Sequence, residues 1–459
     1  MHARPPILCR LIFALFVLAT CGGFASDCGL ANTVSLPLKN LLVPVASLSF
    51  SERMQFRLGE AFFSRLWVMA PATTKAADGL GPLYNGRSCN SCHQRGRRGS
   101  TPMGSSDLSP SLILRLGSHD VTGQVRPDKF YGYQLQELAN PGHRSEGRKQ
   151  ITYQPVLVDF PDGFQAALRR PHYAITDQSQ QISSPDILIS PRLSPAIIGL
   201  GYIEAIAEED IAMGEDPEDK NGDGISGRVH WITSLKTNTL SLGRFGWKAG
   251  QFTIEEQVQT AFYLDMGLSV PLLPMAFGDC TIYQSACRMA PSGASGSQVE
   301  VSQEMVDLVT FYIRHIALPE RRNSSDPGVQ KGERVFYEIG CTSCHRPSYI
   351  TSLDSGSKLL AGKKIWPWTD LLLHDMGPDL ADDFAEHDAT NSEWRTPALW
   401  GIGLARVVGG SGELLHDGRA KNIEEAILWH GGEAEKSRAN YMALSTVTRQ
   451  HLISFIRSL

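Results

Sequence analysis

The chain has no apolar run near the roughly 20 residues that span a bilayer; its longest, Leu11 to Ala19, falls far short. A basic excess is also missing. Forty-three Lys and Arg face 48 Asp and Glu, a formal net charge of −5, with no long run of Lys or Arg. That excludes a nucleic-acid-binding profile. The 43 Gly and 26 Pro follow no period, which excludes collagen-like and low-complexity classes. What remains is an ordinary globular composition, 42% hydrophobic and 20% charged. At about 100–200 residues per domain, a chain this long predicts two to four domains.

Arg4 and Arg10, the short apolar stretch and the small residues leading to Asp27 have the layout of an export signal. Cleavage after Ala25 gives domains at 1–25 (signal peptide), 26–325 and 326–459. The other reading takes Leu18-Ala19-Thr20-Cys21 as a lipobox, with Cys21 as a lipid anchor. Both place the mature chain in the periplasm, where disulfides persist.

Nine cysteines are present. Four form two matching patterns, Cys89-Asn90-Ser91-Cys92-His93 and Cys341-Thr342-Ser343-Cys344-His345. C-x-x-C-H is the covalent attachment pattern of haem c. Two thiols at this spacing reach the two vinyl groups of a porphyrin edge, and the next His sits under the iron. A zinc ribbon would bring its C-x-x-C pairs within about 20 residues, and a thioredoxin-like pair needs no His. Two covalent haems are therefore expected. Cys280 and Cys287 read as a local disulfide, or as two unbridged thiols.

Ser51 to Trp67 reads as a helix with Met54, Leu58, Ala61, Phe62 and Leu66 on one face. Ile151–Phe160 and Phe164–Ile175 flank Pro161-Asp162-Gly163, a hairpin signal inside an insertion. Ser302–Leu318 reads as a helix, 320–328 as a linker, and a second helix-to-haem unit runs from Val329 to Cys341. The two halves echo each other. Arg192 to Gly201 resembles Arg395 to Gly403, and Thr253-Ile254-Glu255-Glu256 resembles Asn422-Ile423-Glu424-Glu425. Each of the latter reads as a capping box.

With Ile254 aligned on Ile423, His430 falls on the same helical face as Ile423, and the equivalent position in the first half is Ala261. An imidazole can be a sixth iron ligand; a methyl group cannot. Haem 2 is thus expected between His345 and His430, with Met376 as the other candidate ligand. Haem 1 keeps His93 and an open position, which suits peroxide chemistry. Asp265 is the candidate acid–base residue there. Met266 as a sixth ligand would close the site instead.

These motifs, with Leu415-His416-Asp417-Gly418-Arg419, resemble the bacterial di-haem cytochrome c peroxidase and MauG superfamily. Gly243-Arg244-Phe245-Gly246-Trp247-Lys248-Ala249, Asp370 to Gly377, Glu393 to Pro397 and Trp429 to Ala434 are similar to its di-haem oxidoreductases, once called thiol oxidoreductases. The resemblance covers roughly residues 50–459. It implies a mainly α fold of two cytochrome c-like haem domains, the first carrying the long insertion with some β-structure. It implies a reacting N-terminal haem and a relaying C-terminal haem. His430 stands where the superfamily has Met or Tyr, which would lower the potential relative to Met. Asp265 stands near the superfamily's distal Glu, and His416 is implied to be structural or near haem 2. The superfamily's calcium between the haems would fall near Ser411-Gly412-Glu413.

A separate calcium signal is Asp219-Lys220-Asn221-Gly222-Asp223-Gly224, although His230 stands where a complete loop has Glu; a polar turn is the alternative. The function expected is an exported peroxidase-like enzyme, with a soluble electron donor or acceptor protein and peroxide or another small substrate. The alternatives are a di-haem carrier or redox sensor, and an oxidase of an organic or protein substrate. A thiol-oxidase activity has no spare redox C-x-x-C to support it.

Overall fold

The computed structural model describes residues 31, 33–35, 40–74, 76–104, 107, 109–176, 186–294 and 298–459. The signal segment, Cys21 and Cys28 lie outside these. Among the described residues no helix is long and apolar enough to cross a membrane.

The fold is not mainly α. Helices make up 27% of the described residues and strands 20%, spread over many small sheets. Eleven α-helices are present among the described residues: α1 Phe50–Ser64, α2 Cys89–Cys92, α3 Leu200–Glu204, α4 Glu208–Ala212, α5 Ile254–Met266, α6 Ser285–Arg288, α7 Gln303–Arg314, α8 Pro327–Glu338, α9 Ile423–Leu428, α10 Glu435–Ala443 and α11 Thr446–Ser458. Several are single turns. The long segments between them run as loops and two-stranded ribbons. Motif helices this short cannot bury a core of their own, so irregular chain wraps the sites and is pinned by backbone hydrogen bonds.

The first core is built where α1 crosses α7. A Cβ at Gly59 would lie 2.1 Å from the Leu308 carbonyl oxygen, so only glycine allows this approach. Phe56 and Phe63 flank it and stack on Tyr312, with ring centroids 4.7 and 5.2 Å away. The buried face of α1 is therefore Phe56, Gly59 and Phe63. The face expected from periodicity points outward: Met54, Leu58 and Leu66 are each at least half exposed. Apolar spacing alone does not say which of two apolar stripes is covered; the glycine crossing does.

The second core is built by α8 and α11. The Asp326 side chain caps α8 by accepting from the Gly328 and Val329 amides. Gly332 sits against the His451 carbonyl, where a Cβ would clash at 1.9 Å. Phe336, Trp368 and Phe455 then meet edge to face, 5.2–5.5 Å apart.

The insertion holds two β-units. Leu112–His119 pairs with Val125–Pro127 and Leu188–Leu193 in a three-stranded sheet. Arg148–Asp159 and Gln165–Thr176 form the expected hairpin; the first strand starts three residues before its apolar pattern and ends one before it, and the second is shifted by one residue. The hairpin end leaves its own half. Phe160 and Leu168 are buried in the second core beside Tyr441, and Asp162 pairs with Arg449 on α11 at 2.8 Å. Conversely, Tyr349, Ile365, Leu371 and Leu404 belong to the first core.

The echoed helix starts are half of what was expected. Thr253 and Asn422 accept from the Glu256 and Glu425 amides, as N-caps should. Neither Glu returns to its cap backbone: Glu256 bonds Ser234, and Glu425 bonds the Lys421 amide.

Candidate functional site

The first motif occupies one helical turn. The His93 amide donates to the Cys89 carbonyl at 3.1 Å, which brings Cys89, Cys92 and His93 to one cavity. His93 Nδ1 lies 2.9 Å from the Pro195 carbonyl oxygen. That bond fixes the ring and leaves Nε2 as the nitrogen for a metal. Burial pulls its pKa down to about 4, opposed by the Pro195 bond, so the ring is neutral, as ligation requires. Pro195 belongs to the segment that echoes Arg395 to Gly403.

Helix α5 lines the same cavity with Ala261, Leu264, Asp265 and Met266. Burial raises the Asp265 pKa; a hydrogen bond from Gln134 and the charge of Arg115 oppose it. Gln134 donates from Nε2 to Asp265 Oδ1 and to the Leu264 carbonyl, both at 2.8 Å.

The cavity fits a porphyrin. Ile113, Leu193, Ile197 and Val258 supply apolar wall. Among the described residues, Arg97 Nε, Arg98 Nε, Arg192 Nη2 and Arg244 Nε are buried there without a hydrogen-bond partner. Unpaired buried guanidinium nitrogens are costly, and carboxylates such as haem propionates would satisfy them. Burial brings the Arg98 pKa down to about 10 despite Glu413 and Asp417.

The second motif repeats the arrangement. The His345 amide donates to the Cys341 carbonyl at 3.0 Å, and Nδ1 lies 2.9 Å from the Trp368 carbonyl oxygen. Burial lowers the His345 pKa to about 4; the Trp368 bond opposes, and nearby His430 lowers it further. His430 thus lies close enough for its charge to act on His345, although not where expected on a helix. Helix α9 ends at Leu428, and His430 sits in the following turn. Its Nδ1 is 2.7 Å from the Ala426 carbonyl oxygen. Met376 packs against the second core.

All four motif cysteines are unbridged, so neither pair acts as a disulfide here. Cys280 and Cys287 are bonded to each other.

His374 was not singled out by spacing, yet it joins the second site. Its Nδ1 is 3.6 Å from Cys344 Sγ and 2.6 Å from Glu433 Oε2, and its Nε2 is 2.8 Å from Asp370 Oδ2. Burial opposes its charge, but these partners prevail and hold it well above the usual histidine range. Cys344, Asp370 and His374 are the one group among the described residues whose acidic, Cys and His ligand atoms converge within 4.8 Å.

His416 is buried with Trp394 stacked on it at 3.7 Å, and its carbonyl accepts the Leu193 amide beside the first cavity. Glu413 is held by protein groups: Arg169 Nη2 bonds Oε1 at 2.6 Å, and Thr101 and Ser411 donate to the same carboxylate. Asp219, Asn221 and Asp223 lie on an exposed loop. Their side-chain oxygens accept from the Gly224, Asp223 and Ile225 amides.

Two C-x-x-C-H turns with imidazoles pinned at Nδ1 define a haem oxidoreductase centre. A family model described as "Di-haem oxidoreductase, putative peroxidase" matches residues 34–113 and 137–459. The chain belongs to this di-haem oxidoreductase family, whose cofactors are haems. No curated protein matches it.

Proposed function

We propose that the chain is an exported peroxidase-like oxidoreductase, with both haems held covalently through Cys89/Cys92 and Cys341/Cys344. Peroxide is reduced at the N-terminal site, and the C-terminal site relays electrons from a soluble donor protein in the periplasm. The observation that carries this reading is the asymmetry of the sites. His430, its Nδ1 engaged by the Ala426 carbonyl, lies close enough for its charge to act on His345. His93 faces a cavity to which α5 brings Ala261, which has no donor atom, and Asp265, a carboxyl group. When bound, the haems supply redox chemistry; the chain orients them and handles protons. Asp265 is placed to exchange a proton with a substrate in that cavity.

Met266 lines the same cavity and favours the second reading, a carrier without catalysis, if its sulfur closes haem 1. Redox-resolved electron paramagnetic resonance of the holoprotein, with and without peroxide, separates the two. The expected result is one high-spin haem that reacts with peroxide and one low-spin haem whose signal is lost in His430→Ala. Two low-spin haems at every oxidation level, inert to peroxide, would establish the carrier.

A further inference from the structure

The cavity holding Asp265 has a second carboxyl group, contributed by the other half of the chain. Glu386 lines it from a tight turn in which its amide and carbonyl both bond Ala389, at 2.9 and 3.0 Å. The side chain lies over Gly250, where a Cβ would come within 2.2 Å of Oε1. Its nearest ion-pair contact, Arg192 Nη2, is 3.8 Å from Oε2, too long for a hydrogen bond, and the side chain keeps 27% of its exposure. Among the described residues no donor hydrogen-bonds this carboxylate. Such an oxygen pair, inside a cavity and unused by the fold, is free to take a proton.

Arg115 also lines the cavity. No hydrogen bond or ion pair among the described residues holds its guanidinium, and its charge acts on both Asp265 and Glu386. Arg115 and Gln134 both fall in the stretch 114–136 that the family model leaves unmatched. The groups acting on Asp265 are thus partly this chain's own.

We infer that Glu386 is the proton acceptor of the first cavity and Asp265 its proton donor, with Arg115 acting on both. The inference rests on the open-site reading above. The electrostatic surroundings support the division. Around Glu386, burial favours the neutral acid, but Arg115, Arg192, His387 and Lys248 outweigh it and lower the pKa; His230 and Tyr133 also face this charge. Around Asp265, burial wins over Gln134 and Arg115, with Cys89 and Cys92 the other titratable neighbours. Two carboxyl groups pushed in opposite directions mark a base and an acid.

Reduction of one peroxide to two waters consumes two protons and two electrons. The electrons come from the donor protein. Glu386 takes the proton that leaves the first oxygen and returns it when that oxygen becomes water. Asp265 protonates the departing oxygen, and solvent supplies the two protons consumed.

Cyanide, which enters as hydrogen cyanide and binds ferric haem as the anion, tests this without turnover. Stopped-flow absorbance follows its binding rate. The wild-type holoprotein is expected to bind cyanide fastest near neutral pH and to slow as acid protonates Glu386, and Glu386→Gln to bind about 10²-fold more slowly without that acid limb. In peroxide reduction, Glu386→Gln should lose the acid limb of the pH profile and about 10²-fold in rate, whereas Glu386→Asp should retain the limb. Cyanide binding at the same rate and with the same pH profile in wild type and Glu386→Gln would overturn this inference alone. A wild-type protein that binds no cyanide would overturn the open-site reading and this inference with it.

Discussion

The three imidazoles proposed as iron ligands are oriented by the same device. His93, His345 and His430 each hold Nδ1 on a backbone carbonyl, at 2.7–2.9 Å, so each presents Nε2. A fourth, His374, is built for a different task, because carboxylates engage both its nitrogens. Buried at 2% side-chain exposure, it neutralises Asp370 and Glu433 beside Cys344. Removing it leaves two buried anions unpaired. His374→Ala is expected to lower unfolding free energy by about 3–5 kcal/mol, checked by denaturant titration of the holoprotein. The sign of its pH dependence follows from a raised folded pKa. Its stabilisation is complete below about pH 6.5 and is lost as pH climbs through the higher folded value. Denaturation midpoints against pH should show that alkaline loss in wild type and not in the variant. At this scale the motif cysteines and histidines were legible, because the C-x-x-C-H pattern has a fixed spacing. Arg115, Gln134, His374 and Glu386 were not, since they meet the sites only through the fold.

Elements are where periodicity misled. Helix α1 carries two apolar stripes, and the covered one is set by Gly59 against Leu308. Gly59→Val should push α1 off α7 at a cost of about 1–3 kcal/mol, read as a lower Tm. Because Phe63 also lines the first cavity, the absorption spectrum of haem 1 should shift while that of haem 2 stays unchanged. The hairpin was readable from alternation around Pro161-Asp162-Gly163. The helix-to-strand balance was not, because short turns and ribbons around a cofactor carry almost no periodic signal. His430 shows the same limit. The repeat located the residue, but α9 stops two residues before it, and the Ala426 carbonyl fixes the ring instead of helical register.

For the molecule as a whole, the proposed division of labour between the sites makes a kinetic prediction. A Cys341→Ser/Cys344→Ser/His345→Ala variant that lacks haem 2 should still react with peroxide at haem 1. Turnover driven by a reduced donor protein should fall by at least about 10²-fold, measured by stopped-flow against steady-state assay. Equal losses in both would show that the second centre is not a relay.

The hairpin carries a consequence of its own. Phe160 and Leu168 are stitched into the opposite lobe, and Asp162 is clasped to the last helix. A nick in the 320–328 connector should therefore release no free fragment. The severed pieces should travel together on a sizing column until denaturant pulls that thumb out of its socket.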